Sequence, residues 1–480
     1  MTPRRERRAE FLETVGKAMR IWPTKRWWKR LGLGFLLLIA LAILVNGVMS
    51  WRVERQVQSR IAAIRAAGEP ASIAELAPHP IPESENAAAA LAKIGPSLDA
   101  FSKDYAIFDE TPLGKGYDAR SEIGEPPTAD QLRVIGSILH KYPDIDAGLA
   151  DAISRKRYAS LTDFSLDAPQ FLDRALKNPI GRNRTASRFL RWRMEELTGA
   201  GERDKAVARG IEALKLARQC DNEPLMVNAL VAIAMRGVAV EPLYDALNSG
   251  PVSPETHAAL DQELARQENT ARLLNAMKTE RAFSIDMIKA MPGQVTPALQ
   301  AWAYKLFGWP VKRFYVGVLD YYDVELAALA KSWKNGHGTV GRHLQADGTS
   351  GYGVLADLLI PASQAAYNAD QRCTAQLRSL RIFNALRQFA EKNGREATKL
   401  EELGLPAEAL VDPFDGKPLK LKHTSDGWMV YTVMFDGVDD GGDFTDLKDF
   451  GVGPRKQRIT RKAQSDVEEP PAEPAAEAAK

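Results

Sequence analysis

Between Phe435 and Phe444 the chain reads FDGVDDGGDF, and with Asp446 and Asp449 six carboxylates fall within 14 residues. Such a run suits three things: holding a hard cation, acid chemistry, or a solvated turn. Calcium takes about six to eight oxygen ligands on a flexible backbone. Aspartate side chains and turn carbonyls supply those oxygens, and glycines let the chain fold back on itself. Asp436, Asp439, Asp440 and Asp443 are therefore the candidate calcium ligands. The spacing is not that of an EF-hand, and one GGD is not a calcium-binding nonapeptide repeat.

Other chemistry-bearing residues are sparser. Glu280 and Arg281 interrupt an apolar helical stripe between Met277 and Ile288. A partly buried Glu280 carboxylate would have a raised pKa and serve as the acid of a hydrolase; an ion pair at the edge of the stripe is the structural alternative. His337 and His343 flank a glycine-rich stretch near Asp347 and Ser350, without the GxSxG or HExxH contexts that organise such residues for catalysis. His79, between two prolines, reads as an exposed loop residue. Two cysteines, Cys220 and Cys373, are too few for a disulfide framework. Cys373 lies on an apolar stripe and reads as a buried thiol. No catalytic residue is assigned.

The elements that must position these residues follow from charge and periodicity. The 480 residues carry a net charge of +2, but ten Lys/Arg against three Glu in residues 1–30 make that segment +7. The remainder is acidic, so no nucleic-acid-binding surface is expected. The uncharged run LGLGFLLLIALAILVNGVM follows, bracketed by Trp27, Trp28 and Trp51. About 20 apolar residues cross a bilayer as a helix, and tryptophans favour its interfaces. Residues 31–50 are thus read as a single, uncleaved transmembrane helix in the lipid bilayer of the cytoplasmic membrane. The basic segment 1–30 stays in the cytoplasm and the bulk of the chain lies outside it.

Residues 51–86 form a juxtamembrane helix and connection. Val53, Val57, Ile61 and Ile64 make a stripe suited to a homodimeric stalk or to packing within the chain. Ser72-x-x-Glu75 reads as a capping box opening a further helix. Residues 87–333 are helical in period almost throughout, with predicted helices over 185–198, 203–218, 223–247 and 254–291. Successive helix pairs suggest an irregular, solenoid-like domain without a strict repeat. A Gly-rich linker spans 334–358, an α+β domain 359–452, and a disordered tail 453–480. In the α+β domain a helix closes at Asn393-Gly394, and Leu419–His423 and Trp428–Met434 pair as a hairpin through Thr424–Gly427.

One segment carries a resemblance. LRIFNALRQFAEKNG, the Leu-rich turn after it, VDPFDGKPL, a Tyr-containing strand and FDGVDDGGD together resemble the C-terminal domain of the major pseudopilins of type II secretion. The likeness covers residues 363–446. It implies that the acidic loop binds calcium through Asp436, Asp439, Asp440 and Asp443. In true pseudopilins the membrane segment joins the long helix directly, whereas residues 51–358 intervene here, and Ile39 stands where prepilin processing needs glutamate. The juxtamembrane region IRAAGEPASIAEL with PIPESENAAAAL resembles that of single-pass bacterial envelope proteins. The expected protein is mainly α and membrane-anchored, a non-catalytic binding or scaffold module for an envelope protein partner. The alternatives are an envelope hydrolase using Glu280 and an accessory component of a secretion system.

Overall fold

The computed structural model describes residues 25–122, 124–177, 179–268, 271–294, 309–335 and 354–454. Residues 1–24, the stretch containing His337, His343, Asp347 and Ser350, and the tail beyond 454 lie outside the described residues. The chain is mainly helical, with fourteen described α-helices and one three-stranded antiparallel sheet near the C-terminal end. It divides into two compact units, Met1–Ala63 with Met291–Val316, and Ile64–Ala290 with Gly317–Lys480.

In the first unit, α1 (Lys25–Ala66) is one continuous helix of 42 residues. At about 1.5 Å per residue it exceeds the hydrocarbon thickness roughly twofold, so it is long enough to cross and continue beyond. Its apolar side chains point outward: Phe35 and Leu38 are each 65% exposed and Leu44 64%. Asn46 is buried and accepts the Trp309 N–H at 3.1 Å. That N–H begins α13 (Trp309–Asn335), where the helix itself offers no acceptor. Val53, Val57, Ile61 and Ile64 are all buried in the single chain.

The second unit contains α2 (Ala87–Lys93), α3 (Gly95–Glu110), α4 (Pro112–Glu122), α5 (Ala129–Leu139), α6 (Pro143–Ser154) and α7 (Ala168–Lys177). These lead into α8 (Pro179–Gly199), α9 (Arg203–Cys220), α10 (Met226–Asn248), α11 (Pro254–Gln267), α12 (Arg272–Gln294) and, after α13, α14 (Val354–Asn393). Local chemistry sets several boundaries. Asn86 accepts the Ala88 N–H to start α2, and Thr128 with Gln131 forms a reciprocal capping box for α5. Ser253 caps α11 ahead of Pro254, and Gly394, with φ 66°, stops α14 as its Asn-Gly signal predicts.

Helix α9 packs on α8, α10 and α11; α10 and α11 pack on α14; the sheet lies on α14. Helix α10 is apolar enough to cross a membrane, but here it is a core helix, with Val231, Ala232, Met235 and Leu243 buried. One hydrophobic core runs from Ala90 to Val452, so the C-terminal sheet and the helices before it share their interior. Aromatic packing stiffens its early part: Trp192 meets Phe101 and Phe108 edge-on, with ring centroids 5.5 and 5.2 Å apart.

Three sequence expectations change. The helix predicted over 254–291 is two helices, and Arg272 at the start of the second donates to the Gln267 carbonyl that ends the first, at 3.1 Å. A polar network overrides the apolar period there. Ser72-x-x-Glu75 opens only a single 3₁₀ turn, Ala74–Leu76, because Pro78, Pro80 and Pro82 forbid a longer helix. Glu75 instead accepts the Ala71 N–H at 2.9 Å and pairs with Arg65. The predicted hairpin gains a third strand.

Candidate functional site

Strands β1 (Lys420–Thr424) and β2 (Gly427–Thr432) pair antiparallel, with Thr424 opposite Gly427 across a two-residue turn. Gly427 takes φ 127° there, which favours glycine. Strand β3 (Phe450–Val452) pairs with the other edge of β2, setting Thr432 opposite Phe450. The acidic loop is therefore the β2–β3 connection, held at both ends by one sheet. Strand β3 is too short for periodicity to reveal.

A buried carboxylate outside the predicted set anchors the loop. Asp412, from the VDPFDGKP segment, is 1% exposed. It accepts the Thr432 hydroxyl at 2.7 Å, the Val433 N–H at 3.2 Å and the Phe414 N–H at 2.8 Å. These bonds tie the end of β2 and the first loop residue to the preceding turn. Phe435 then packs edge-on against Phe414 at 4.8 Å.

Within the loop the aspartates mostly build turns. Asp436 accepts the Val438 N–H at 3.0 Å. Asp439 accepts the Tyr431 hydroxyl and the Gly441 N–H, each at 3.0 Å, with the Lys420 ammonium 3.7 Å away. Asp440 is exposed. Asp443 accepts the Thr445 N–H at 3.0 Å and the Lys448 ammonium at 3.1 Å. Lys422 donates to the Gly441 carbonyl. Gly441 and Gly442, at φ 73° and 80°, let the chain reverse, and a Cβ on Gly442 would meet the Met429 side chain at 2.9 Å. No cluster of three or more His, Cys, Asp or Glu suited to a metal occurs among the described residues.

Asp449, outside the predicted ligand set, closes the loop. It is fully buried; its N–H bonds the Asp443 carbonyl at 2.9 Å and its Oδ2 accepts the Gly442 N–H at 2.8 Å. Its Oδ1 has no hydrogen-bond partner. Burial pushes the Asp449 carboxyl up, and the nearby charges of Asp439 and Asp440 push it the same way. The only sequence signal was the Asp443-x₂-Asp446-x₂-Asp449 spacing that begins within FDGVDDGGDF, which does not distinguish a buried aspartate from an exposed one.

Asp443 behaves oppositely. The Thr445 hydroxyl and N–H, with Lys448, hold its carboxyl down at about 2. A carboxyl depressed on folding stabilises the folded loop above its unfolded pKa of about 4 and loses that contribution as pH falls toward about 2. NMR titration of the Thr445 amide is expected to show the loop opening in that window, well below the ordinary aspartate midpoint. Asp443→Asn should abolish the transition.

Glu280 is engaged as a helix cap. It accepts the Met226 N–H at 2.9 Å while the Thr279 hydroxyl accepts the Leu225 N–H at 3.1 Å, so both serve the start of α10. Burial pushes the Glu280 carboxyl up, and it borders neither of two cavities in this unit. Arg281 pairs with Glu69 at 2.6 Å. One of the cavities is bordered by Arg191, Glu195 and Tyr117, where Tyr117 donates to both Glu195 oxygens at 3.0 and 2.9 Å and Arg191 lies 2.9 Å from Oε1. The i,i+4 spacing of Arg191 and Glu195 was visible in the sequence; the burial of Glu195 was not. Cys220 and Cys373 are both buried free thiols.

Comparison of the chain with protein-family models, with curated proteins and with solved structures finds no match.

Proposed function

We propose that the protein is a single-pass, membrane-anchored envelope protein that acts as a non-catalytic binding or scaffold module. Its N-terminus is cytoplasmic, its helix pairs form an irregular solenoid-like surface for an envelope protein partner, and its C-terminal α+β region is a pseudopilin-like domain stiffened by calcium. The observation that carries the anchor is α1, whose Phe35, Leu38 and Leu44 are exposed along a run without charge. A contiguous apolar surface of that length is stable in lipid and not in water.

The calcium reading is supported by Asp449, a buried carboxylate with one unpartnered oxygen beside Asp439 and Asp440. The ligands that the pseudopilin resemblance implies are Asp436, Asp439, Asp440 and Asp443, which would converge as the glycine-turned loop closes around the ion.

Two measurements test the reading. Alkaline carbonate should leave the full-length protein in the membrane pellet, and protease added outside the cytoplasmic membrane should cleave beyond Ala66; extraction into the supernatant would remove the anchor. Thermal unfolding of the full-length protein should shift upward in calcium relative to chelator, by about 2.7 kcal/mol at a hundredfold excess over Kd. Asp439→Ala/Asp443→Ala should erase that shift. Equal midpoints in calcium and chelator would remove the ion and leave the anchor standing.

A further inference from the structure

A cavity of about 260 Å³ opens among α2, the 158–166 connection and α8. Leu91, Leu161 and Leu166 give it a mainly apolar wall, and Tyr158, Asn183 and Glu223 border it as a polar cluster. Glu223 is 7% exposed. Its Oε1 accepts the Tyr158 hydroxyl at 2.5 Å and its Oε2 the Ser160 hydroxyl at 2.6 Å. Both donors are neutral, and no cation among the described residues acts on the carboxylate.

Several other buried carboxylates in this unit are matched. Glu195 has Arg191 at 2.9 Å, Asp370 has Arg272 at 2.6 Å, and Glu263 has Arg218 at 3.1 Å. Glu280 and Asp412 are matched by backbone N–H groups. Glu223, held by two hydroxyls, keeps unused lone pairs and faces a cavity. The arginines bordering the cavity are balanced by other groups: Arg182 donates to Asp99 at 3.1 Å, and Arg174 acts on the Asp163 carboxylate. The uncompensated charge facing the cavity is that of Glu223, and a buried charge calls for an opposite one.

We propose that this cavity binds a small aliphatic ammonium ion, with its alkyl stem against Leu91, Leu161 and Leu166 and its –NH₃⁺ on Glu223. The volume lies just below the usual range for ligand pockets, about 300–1,000 Å³, which suits a short unbranched amine. Burial pushes the Glu223 carboxyl up, and the Ser160 and Tyr158 hydroxyls oppose that shift.

Calorimetry on the full-length protein in lipid nanodiscs tests this, with n-pentylamine as the probe and empty nanodiscs as the blank. Saturable binding is expected. Pentanol and pentanoate, of the same shape, should bind at least about tenfold more weakly, and Glu223→Gln should weaken pentylamine by a similar factor. Ala92→Trp, at an exposed position bordering the cavity, should block binding without touching the carboxylate. No saturable binding of pentylamine, equal binding of pentanol, or unchanged binding in a folded Glu223→Gln or Ala92→Trp protein would each overturn the proposal.

Discussion

Replacing Arg236 by alanine is expected to cost on the order of 3–5 kcal/mol of stability, read from urea unfolding of the full-length protein. Arg236 lies on the central helix α10 and is 0% exposed. Its guanidinium meets both oxygens of Asp221, at 3.0 and 2.5 Å, and its Nε donates to Gln267 at 2.8 Å. Gln267 in turn bonds the Leu214 carbonyl at 3.0 Å, so one side chain joins α9, α10 and α11. Deleting the arginine strands a carboxylate that is only 9% exposed. The cost comes from that stranded charge, because a buried pair as a whole contributes little over an apolar one. Arg236→Met/Asp221→Leu should therefore recover most of what Arg236→Met loses. If the double variant is no more stable than the single one, packing rather than charge accounts for the loss.

Asp412→Ala should be the next most damaging change, at roughly 2–4 kcal/mol, because it leaves the Val433 and Phe414 N–H groups without their acceptor. The loss should be accompanied by weaker ordering of the acidic loop, measured as faster amide exchange at Val433 and Met434. Asp412→Asn keeps one acceptor but turns an N–H donor toward the Val433 N–H, so it restores only part of the loss. The pH dependence has a definite sign. Burial raises the Asp412 carboxyl despite the hydrogen bonds that lower it. The folded state therefore binds this proton more tightly than the unfolded one, and stability falls as pH rises above the ordinary aspartate range of about 4. Asp412→Asn should flatten that part of the profile, whereas Asp443→Asn should flatten the part below it. A profile unchanged by Asp412→Asn would assign the slope to other carboxylates.

Much of the architecture was legible because it rests on local signals. The uncharged run from Leu31 to Met49 makes a helix with outward apolar side chains whatever else the chain does. Asn393-Gly394 ends α14, and Thr424–Gly427 turns the hairpin. Elsewhere longer-range contacts overrode the pattern. The apolar period from 254 to 291 continues through a break at which Arg272 reaches the Gln267 carbonyl and Asp370, 98 residues away in the chain. Strand β3 exists because β2 offers it an edge, not because three residues carry a signal.

The acidic loop shows the same division. The sequence by itself determined that FDGVDDGGDF would be a glycine-turned, carboxylate-rich connection, since backbone freedom and side-chain type are properties of the residues. It also determined an apolar helix long enough to span a membrane, since the absence of charge over 19 residues is a property of composition alone. Only the tertiary structure decided which carboxylates matter. Asp436 and Asp443 are spent on their own turns, while Asp412, Asp449 and Glu223 are buried, Asp412 and Glu223 against partners 20 and 63 residues away in the chain. Burial sets the energetic consequence of a charge, and it is a property of the packed chain, invisible at the level of one residue and its neighbours.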